Sequence, residues 1–187
     1  MATIGTSVQD FLANFTGGGL RPNRYQVVLS FPNDVLAAVG GGTTTANKIS
    51  FTCKTASIPA STVGTVEAPF MGRQVKFAGD KTYDDWSITV MLDTDLVGRH
   101  IFEAWHDQIM GFDSNVSTTD FVNPSNYMAS GIVTLLNRDG TALETYTVEA
   151  IFPTQVGEIT LGFDQNDQLA EQQVTFAING WSNTFTS

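Results

Sequence analysis

Few residues in this chain have the types and spacing to do chemistry. Asp84 and Asp85 are adjacent acids on a predicted structural element. A pair of carboxylates working on one glycosidic bond must face each other across about 5 to 9 Å. Neighbours on a strand point to opposite faces, so this pair cannot share a substrate, and at a turn Asp84 would instead bond nearby backbone N–H groups. His100 and His106 fall six apart on a predicted helix. Six residues place them about 240° apart around its axis, so they cannot grip one metal. Cys53, the single cysteine, excludes an intrachain disulfide. It lies on the apolar side of Ile49-Ser50-Phe51-Thr52-Cys53 and reads as a buried structural thiol. Gly40-Gly41-Gly42 lacks the Gly-Lys-Ser/Thr of a phosphate loop and no helix is expected to open there. Asp164 and Asn166 lack the glycine and terminal acid of a calcium loop. No nucleophile elbow and no Cys/His metal set is present. The sequence therefore predicts no catalytic, cofactor-binding or metal-binding residues.

The elements that would position such residues are mostly strands. From Trp86 the alternation is regular, with Trp86, Ile88, Val90 and Leu92 on one face and Ser87, Thr89, Met91 and Asp93 on the other. The preceding stretch from Phe70 reads as a strand that turns at Ala78 to Thr82. Asp93-Thr94-Asp95 then offers an N-cap for a helix over about 94–110, with Val97, Ile101, Phe102, Trp105 and Ile109 at helical spacing. Further strands are expected at Tyr25 to Phe31, Lys48 to Ala56, Ile132 to Asn137, Leu143 to Phe152, Ile159 to Phe163, and around Val174, Phe176 and Ile178. Asp139-Gly140 marks a hairpin, and Tyr146, Val148, Ala150 and Phe152 are expected on one face. Pro32 to Asn47 and residues 112–130 read as loops. Near the start, Val8, Phe11, Leu12 and Phe15 form an amphipathic helix with Ser7 and Asp10 resembling a capping box. That helix either closes one end of the sheet structure or serves as an arm on a neighbouring subunit.

Composition narrows the function. The chain is a single domain of 187 residues, long enough to remove roughly 70% of its unfolded surface from water. Charged residues make up 15% of the chain, below the usual figure of about 25%. A surface so poor in charge suggests burial against other subunits. The net charge of −10, with nine scattered Lys and Arg, argues against a grip on nucleic acid. No apolar run is long enough to span a membrane and no signal peptide is evident, so folding in a cytoplasm is expected. Ser57 to Phe70, bounded by Pro59 and Pro69, reads as an edge strand or protruding hairpin; its stretch Ala60 to Val66 carries no charge that would discourage pairing with another chain.

Several segments together resemble a known family. They are Arg21-Pro22-Asn23, Phe51-Thr52-Cys53-Lys54-Thr55-Ala56-Ser57-Ile58-Pro59-Ala60, Phe70-Met71-Gly72-Arg73, Phe102-Glu103-Ala104-Trp105, Phe152 to Ile159 and Val174 to Ile178. The most specific is Gly79-Asp80-Lys81-Thr82-Tyr83-Asp84-Asp85-Trp86, continued through Met91. The chain resembles the tail tube proteins of T4-like contractile-tailed bacteriophages over most of residues 21–181. It departs from them in a longer Pro32 to Asn47 segment and a longer, divergent Phe112 to Gly131 segment.

The resemblance implies a β-sandwich or barrel with a flanking helix; residues 1–20 stand before it as the N-terminal arm. It implies hexameric rings stacked into a hollow tube inside a contractile sheath. Its expected partners are further copies of itself, the sheath, the tape-measure protein, the baseplate tube initiator and the tail terminator. DNA would pass through the lumen without specific binding, in a virion assembled in a bacterial cytoplasm, with no cofactor and no membrane. Acidic walls would repel phosphate over roughly 8 Å. Residues Ile58, Pro59, Ser61, Val63, Thr65, Val66 and Pro69 are the candidate contact between rings. Two alternatives stand beside this reading. One is the inner tube of an extracellular injection particle or type VI secretion machine passing protein. The other is a sugar-binding β-sandwich, for which converging carboxylates and exposed aromatics would be needed.

Overall fold

Alternating burial along the strands builds the centre of the protein. A computed structural model describes residues 8–15, 17, 19–40, 42–112, 115–117 and 119–185. Strand β5 (Trp86–Met91) alternates buried and half-buried positions along its whole length, with Trp86, Ile88 and Val90 inward as the spacing predicts. It pairs antiparallel with β2 (Cys53–Ala56) on one side and β8 (Glu171–Ala177) on the other. The sheet continues through β7 (Ala142–Val156) and β6 (Ala129–Leu136) to β1 (Tyr25–Leu29), giving the order β1-β6-β7-β8-β5-β2, with β9 (Gly180–Asn183) also on β7. Val27 and Leu29 of β1 share one core cluster with Ile88 and Val90 of β5, so the sheet curls round its own apolar face. Its two outer strands approach closely enough for the Tyr25 hydroxyl to donate to the carbonyls of Cys53 and Lys54.

Helix α4 (Val97–Ile109) covers the open side, burying Ile101, Phe102 and Trp105. Phe102 and Trp105 meet Phe176 of β8 at centroid distances of 6.1 Å, and Phe31 joins them at 5.9 and 5.6 Å. Buried indole N–H groups need acceptors. Trp105 Nε1 donates to the Tyr127 carbonyl and Trp86 Nε1 to the Ser57 carbonyl, both at 2.8 Å. Gly131 makes room for Trp86, since a β-carbon there would lie 2.8 Å from the indole ring. The architecture is mainly β with flanking helices, the class expected from the sequence.

The structure corrects several boundaries. Pro32 to Asn47 is helical: α2 (Asn33–Val39) ends on Gly40 in the left-handed region, and α3 (Gly42–Thr52) follows. The strand expected from Lys48 therefore begins only at Cys53. Ile49 and Phe51 match a two-residue period, but two helical steps turn Phe51 away from the core, leaving Ile49 at 1% exposure and Phe51 at 85%. Residues 112–130 hold a 3-10 turn (Thr119–Val122), with Phe121 buried, and a short helix α5 (Pro124–Tyr127). In β7 the alternation slips at Ala150, which has a positive φ of 53° beside a register shift against β6. An extra residue at a bulge reverses the facing of all that follows. Val148 and then Ile151 point inward, and Phe152 instead packs on Tyr127. No strand forms at Ile159 to Phe163, where Leu161 and Phe163 stand fully in solvent. Strand β9 has no counterpart in the periodicity reading.

The helix expected over about 94–110 spans 97–109, and its N-cap is Leu96, whose side chain cannot cap. Asp95 still contributes, because its Oδ1 accepts from the Val97 N–H at 3.3 Å. Lys48 of α3 bridges Asp93 and Asp95 and holds both carboxyls below their usual range.

Candidate functional site

Two strands stand outside the main sheet. β3 (Ser61–Phe70) and β4 (Arg73–Tyr83) pair only with each other, and none of their residues is buried. The two-residue connection Met71-Gly72, with φ of 45° and 80°, closes the hairpin between Phe70 and Arg73. Positive φ at both central residues is the turn geometry that follows the twist of paired strands. The expected turn at Ala78 to Thr82 is therefore corrected: that run lies inside β4, and the chain reverses at Met71-Gly72.

The register separates the two faces of this ribbon. Val66 opposes Phe77, Ala68 opposes Val75 and Phe70 opposes Arg73, so these six share a face. The other face holds Thr65, Glu67, Pro69, Gln74, Lys76 and Ala78, with Glu67 paired to Lys76 at 3.3 Å. The first face is apolar and exposed, with Phe70 63% and Phe77 57% accessible. Apolar area contiguous along both strands marks an interaction surface rather than scattered surface residues.

The residues singled out in the sequence distribute unevenly over this feature. Val66 lies on the apolar face, Thr65 and Pro69 on the polar one, and Val63 below the bulge. Ser61 is half-buried at the root, Ile58 lies outside the strands, and Pro59 is buried within the chain and so unavailable to a neighbour. Phe70, at the end of the first strand, is missing from that set, and so are Val75 and Phe77, because the misplaced turn hid the second strand. Their period-two spacing opposite Val66 and Ala68 was the signal that could have found them.

The run Gly79 to Trp86 forms the root of the hairpin. Gly79 passes Gly64 so closely that a β-carbon would sit 3.1 Å from the Gly64 carbonyl group, at the register shift between Val63 and Thr65. Asp80 and Thr82 are exposed, and Thr82 is paired with Thr62. Lys81 Nζ lies 5.0 Å from the Tyr83 ring and 5.6 Å from that of Trp181, joining the ribbon to β9. Such contacts are worth about 0.5–1 kcal/mol at exposed sites. Asp84 and Asp85 are exposed between β4 and β5, and the Asp84 N–H donates to the Ala60 carbonyl at 3.3 Å. Trp86 then anchors the root in the core at 0% exposure.

The other chemical candidates are occupied structurally. Burial pushes the Cys53 thiol up to about 11. The cleft beside it, between β1 and α3, is lined by Tyr25, Val27, Asn47, Ser50 and Phe51 and collects no acid or histidine. A groove along α4 does hold Arg99, Glu103, His106 and Asp107. There Arg99 pairs with Glu103 and donates to the Gly157 carbonyl, while Asp107 accepts from the Phe112 N–H. His100 is outside that groove. Among the described residues, no three of His, Cys, Asp or Glu converge as metal ligands.

This fold recurs in chains of contractile injection machines. The anti-feeding prophage baseplate structure contains a chain that superposes with a TM-score of 0.61 at 12% identity, covering 88% of this chain and 95% of its own. A chain of the sheath–tube complex of an extracellular contractile injection system, PVC, in its extended state gives 0.55 at 16% identity, over 96% and 98%. Sequence similarity is closer still: tail tube protein gp19 of Enterobacteria phage T4 is 31% identical over 176 residues, 93% of this chain and 98% of that protein. The tail tube protein of Serratia phage KSP90 is 26% identical over 156 residues, 83% and 84% of the two chains. The chain belongs to the phage tail tube protein family, matching it over residues 20–184. Both the family and its phage T4 member are named for the tail tube, a structural part.

Proposed function

We propose that this chain closes into hexameric rings which stack into a hollow tube inside a contractile sheath. The observation that carries the reading is the apolar face of the β3–β4 ribbon, which projects from the sheet and stays exposed among the described residues. An exposed two-stranded ribbon of this kind is a liability in an isolated monomer and an asset in an assembly. An interface that joins unlike surfaces closes laterally into rings when the rotation permits, and a second one along the axis grows without limit. The outer strands β1 and β2, and the exposed Val8, Phe11, Leu12 and Phe15 of α1 (Val8–Asn14), offer further surface for neighbouring copies. Exposure of that face supports the terminal-arm reading of the first residues over closure of the sheet; Ser7 lies outside the described residues.

Sheath, tape-measure, initiator and terminator proteins are the partners such a tube requires. The name of the phage T4 relative supports a phage tail tube, in which the cargo would be DNA. The fold is equally suited to the tube of an injection particle carrying protein, a second reading prompted by the PVC complex. A net charge of −10 suits DNA sliding past without adhering, provided the acids line the lumen. Negative-stain microscopy of concentrated protein tests the assembly: rings or tubes are expected, and a persistent monomer overturns the proposal. The nucleic-acid content of intact particles separates the cargoes, DNA supporting the virion reading and its absence the protein-carrying one.

A further inference from the structure

Charge is distributed unevenly between two exposed parts of the chain. The ribbon, residues 61–83, carries Arg73, Lys76 and Lys81 against Glu67 and Asp80, a net charge of +1 on a chain of net −10. At its tip, Arg73 shares the face of Phe70 next to Met71, which is 90% exposed, while Lys76 lies on the opposite face beside Glu67. The connection from β7 to β8, residues 157–170, is the reverse. It contains Glu158, Asp164 and Asp167 and no Lys or Arg, a net charge of −3. Ile159 is half-buried, but Leu161 is 85%, Phe163 109% and Leu169 69% exposed. One surface is apolar and basic, the other apolar and acidic.

Strand pairing puts these surfaces at opposite ends of the same element. The ribbon joins β5 at Trp86, which pairs with Phe176 of β8. The 157–170 connection enters β8 at Glu171, which pairs with Met91 at the far end of β5. Six residues of strand separate the two ends by roughly 20 Å. Within one chain the tip and the connection leave the sheet from opposite ends. Between copies stacked along β5, the same arrangement points one towards the other.

We infer that the tip of the β3–β4 ribbon in one copy docks on the 157–170 connection of the next copy, head to tail. Phe70 and Met71 cover Leu161 and Phe163, while Arg73 on the face of Phe70 and Lys76 on the opposite face meet Asp164 and Asp167 on either side of the tip. Unlike surfaces meeting in this way leave one of each free at the ends, the condition for continued growth. The apolar contact supplies cohesion, and the charges select orientation, since like charges brought together cost several kcal/mol. The inference rests on the tube reading and adds the surface on which the ribbon lands.

Site-specific crosslinking tests it. In a Cys53→Ser background, Met71→Cys combined with Phe163→Cys is expected to give a ladder of disulfide-linked multimers from oxidised tubes, while either cysteine alone gives no ladder. Tubes that form normally but run only as monomer on a non-reducing gel overturn the contact and leave the tube reading intact. Failure of the Cys53→Ser parent and the unmodified chain to form tubes overturns both. A second test needs no cysteine. Arg73→Glu with Lys76→Glu should raise the concentration at which tubes appear by about a hundredfold or more. Adding Asp164→Lys and Asp167→Lys to the same chain should restore it. Assembly unchanged by the first pair, or not restored by the second, overturns the inference.

Discussion

Strand β5 and the β3–β4 ribbon are neighbours in sequence, separated by Asp84 and Asp85, yet they use alternation in opposite ways. In β5 the inward face is Trp86, Ile88 and Val90, each within 1% of full burial, covered by β8 and the helices. In the ribbon Val66, Ala68, Phe70, Val75 and Phe77 also line up on one face, and among the described residues none of them is buried. The pattern that signals a core is the same in both. What differs is whether the covering surface belongs to the same molecule. An apolar face left open in a well-patterned β protein is thus evidence for a partner, and here for another copy.

That contrast can be broken from either side. Trp86→Ala should have the largest effect on folding, about 3–5 kcal/mol, because a buried indole is lost and its space cannot refill. Urea unfolding of the unassembled chain measures it, and a loss under about 1 kcal/mol would remove β5 from the centre of the core. Val66→Ser with Phe77→Ser should instead abolish tubes while changing monomer stability by about 0.5 kcal/mol or less, as for exposed positions. Microscopy and urea unfolding together read the split; a large stability loss would mean that the ribbon face is covered within the chain.

Smaller changes sharpen the comparison. Gln172 lies in β8 at 1% exposure, and neither atom of its amide has a hydrogen-bond partner. Replacing an unsatisfied buried amide with an apolar group of similar shape removes a desolvation cost, so Gln172→Met should raise stability by about 1 kcal/mol without affecting assembly. An unchanged or lower unfolding midpoint would show that the amide is already satisfied.

The smallest effect belongs to Lys48 with Asp93 and Asp95. Hydrogen bonding to Lys48 lowers the folded-state values of both carboxyls and raises that of the lysine. The carboxylate contribution is therefore present above about pH 4 and lost as pH falls, and the lysine contribution is present below about pH 10 and lost as pH rises. Lys48→Met should flatten both limbs of the unfolding midpoint against pH. Identical profiles for the two chains would sink this assignment.

Much of the scaffold was legible because a two-residue period reports burial directly. β1, β5, β8 and helix α4 follow their apolar spacing, and Asp139-Gly140 correctly marks the turn between β6 and β7. The failures share a cause. Ile49 and Phe51 fit a strand as well as a helix, since short apolar runs satisfy both periods. Ala150 shifts the phase of β7 through a bulge that leaves no trace in composition. Leu161 and Phe163 alternate like a strand but have no strand beside them. At the candidate site, the projecting hairpin and its uncharged stretch Ala60 to Val66 were readable, whereas its turn, its second strand and the burial of Pro59 were not.

The amino-acid sequence alone determined that this is a mainly β protein, and the run Gly79 to Trp86 pointed to its family. These are local properties: side-chain type, period and order along the chain. Which apolar faces are covered was decided only by the tertiary structure. Val90 and Val75 are the same residue in similarly patterned strands, one 1% and the other 42% exposed. Burial depends on what the rest of the chain brings alongside, and among the described residues it buries none of the ribbon.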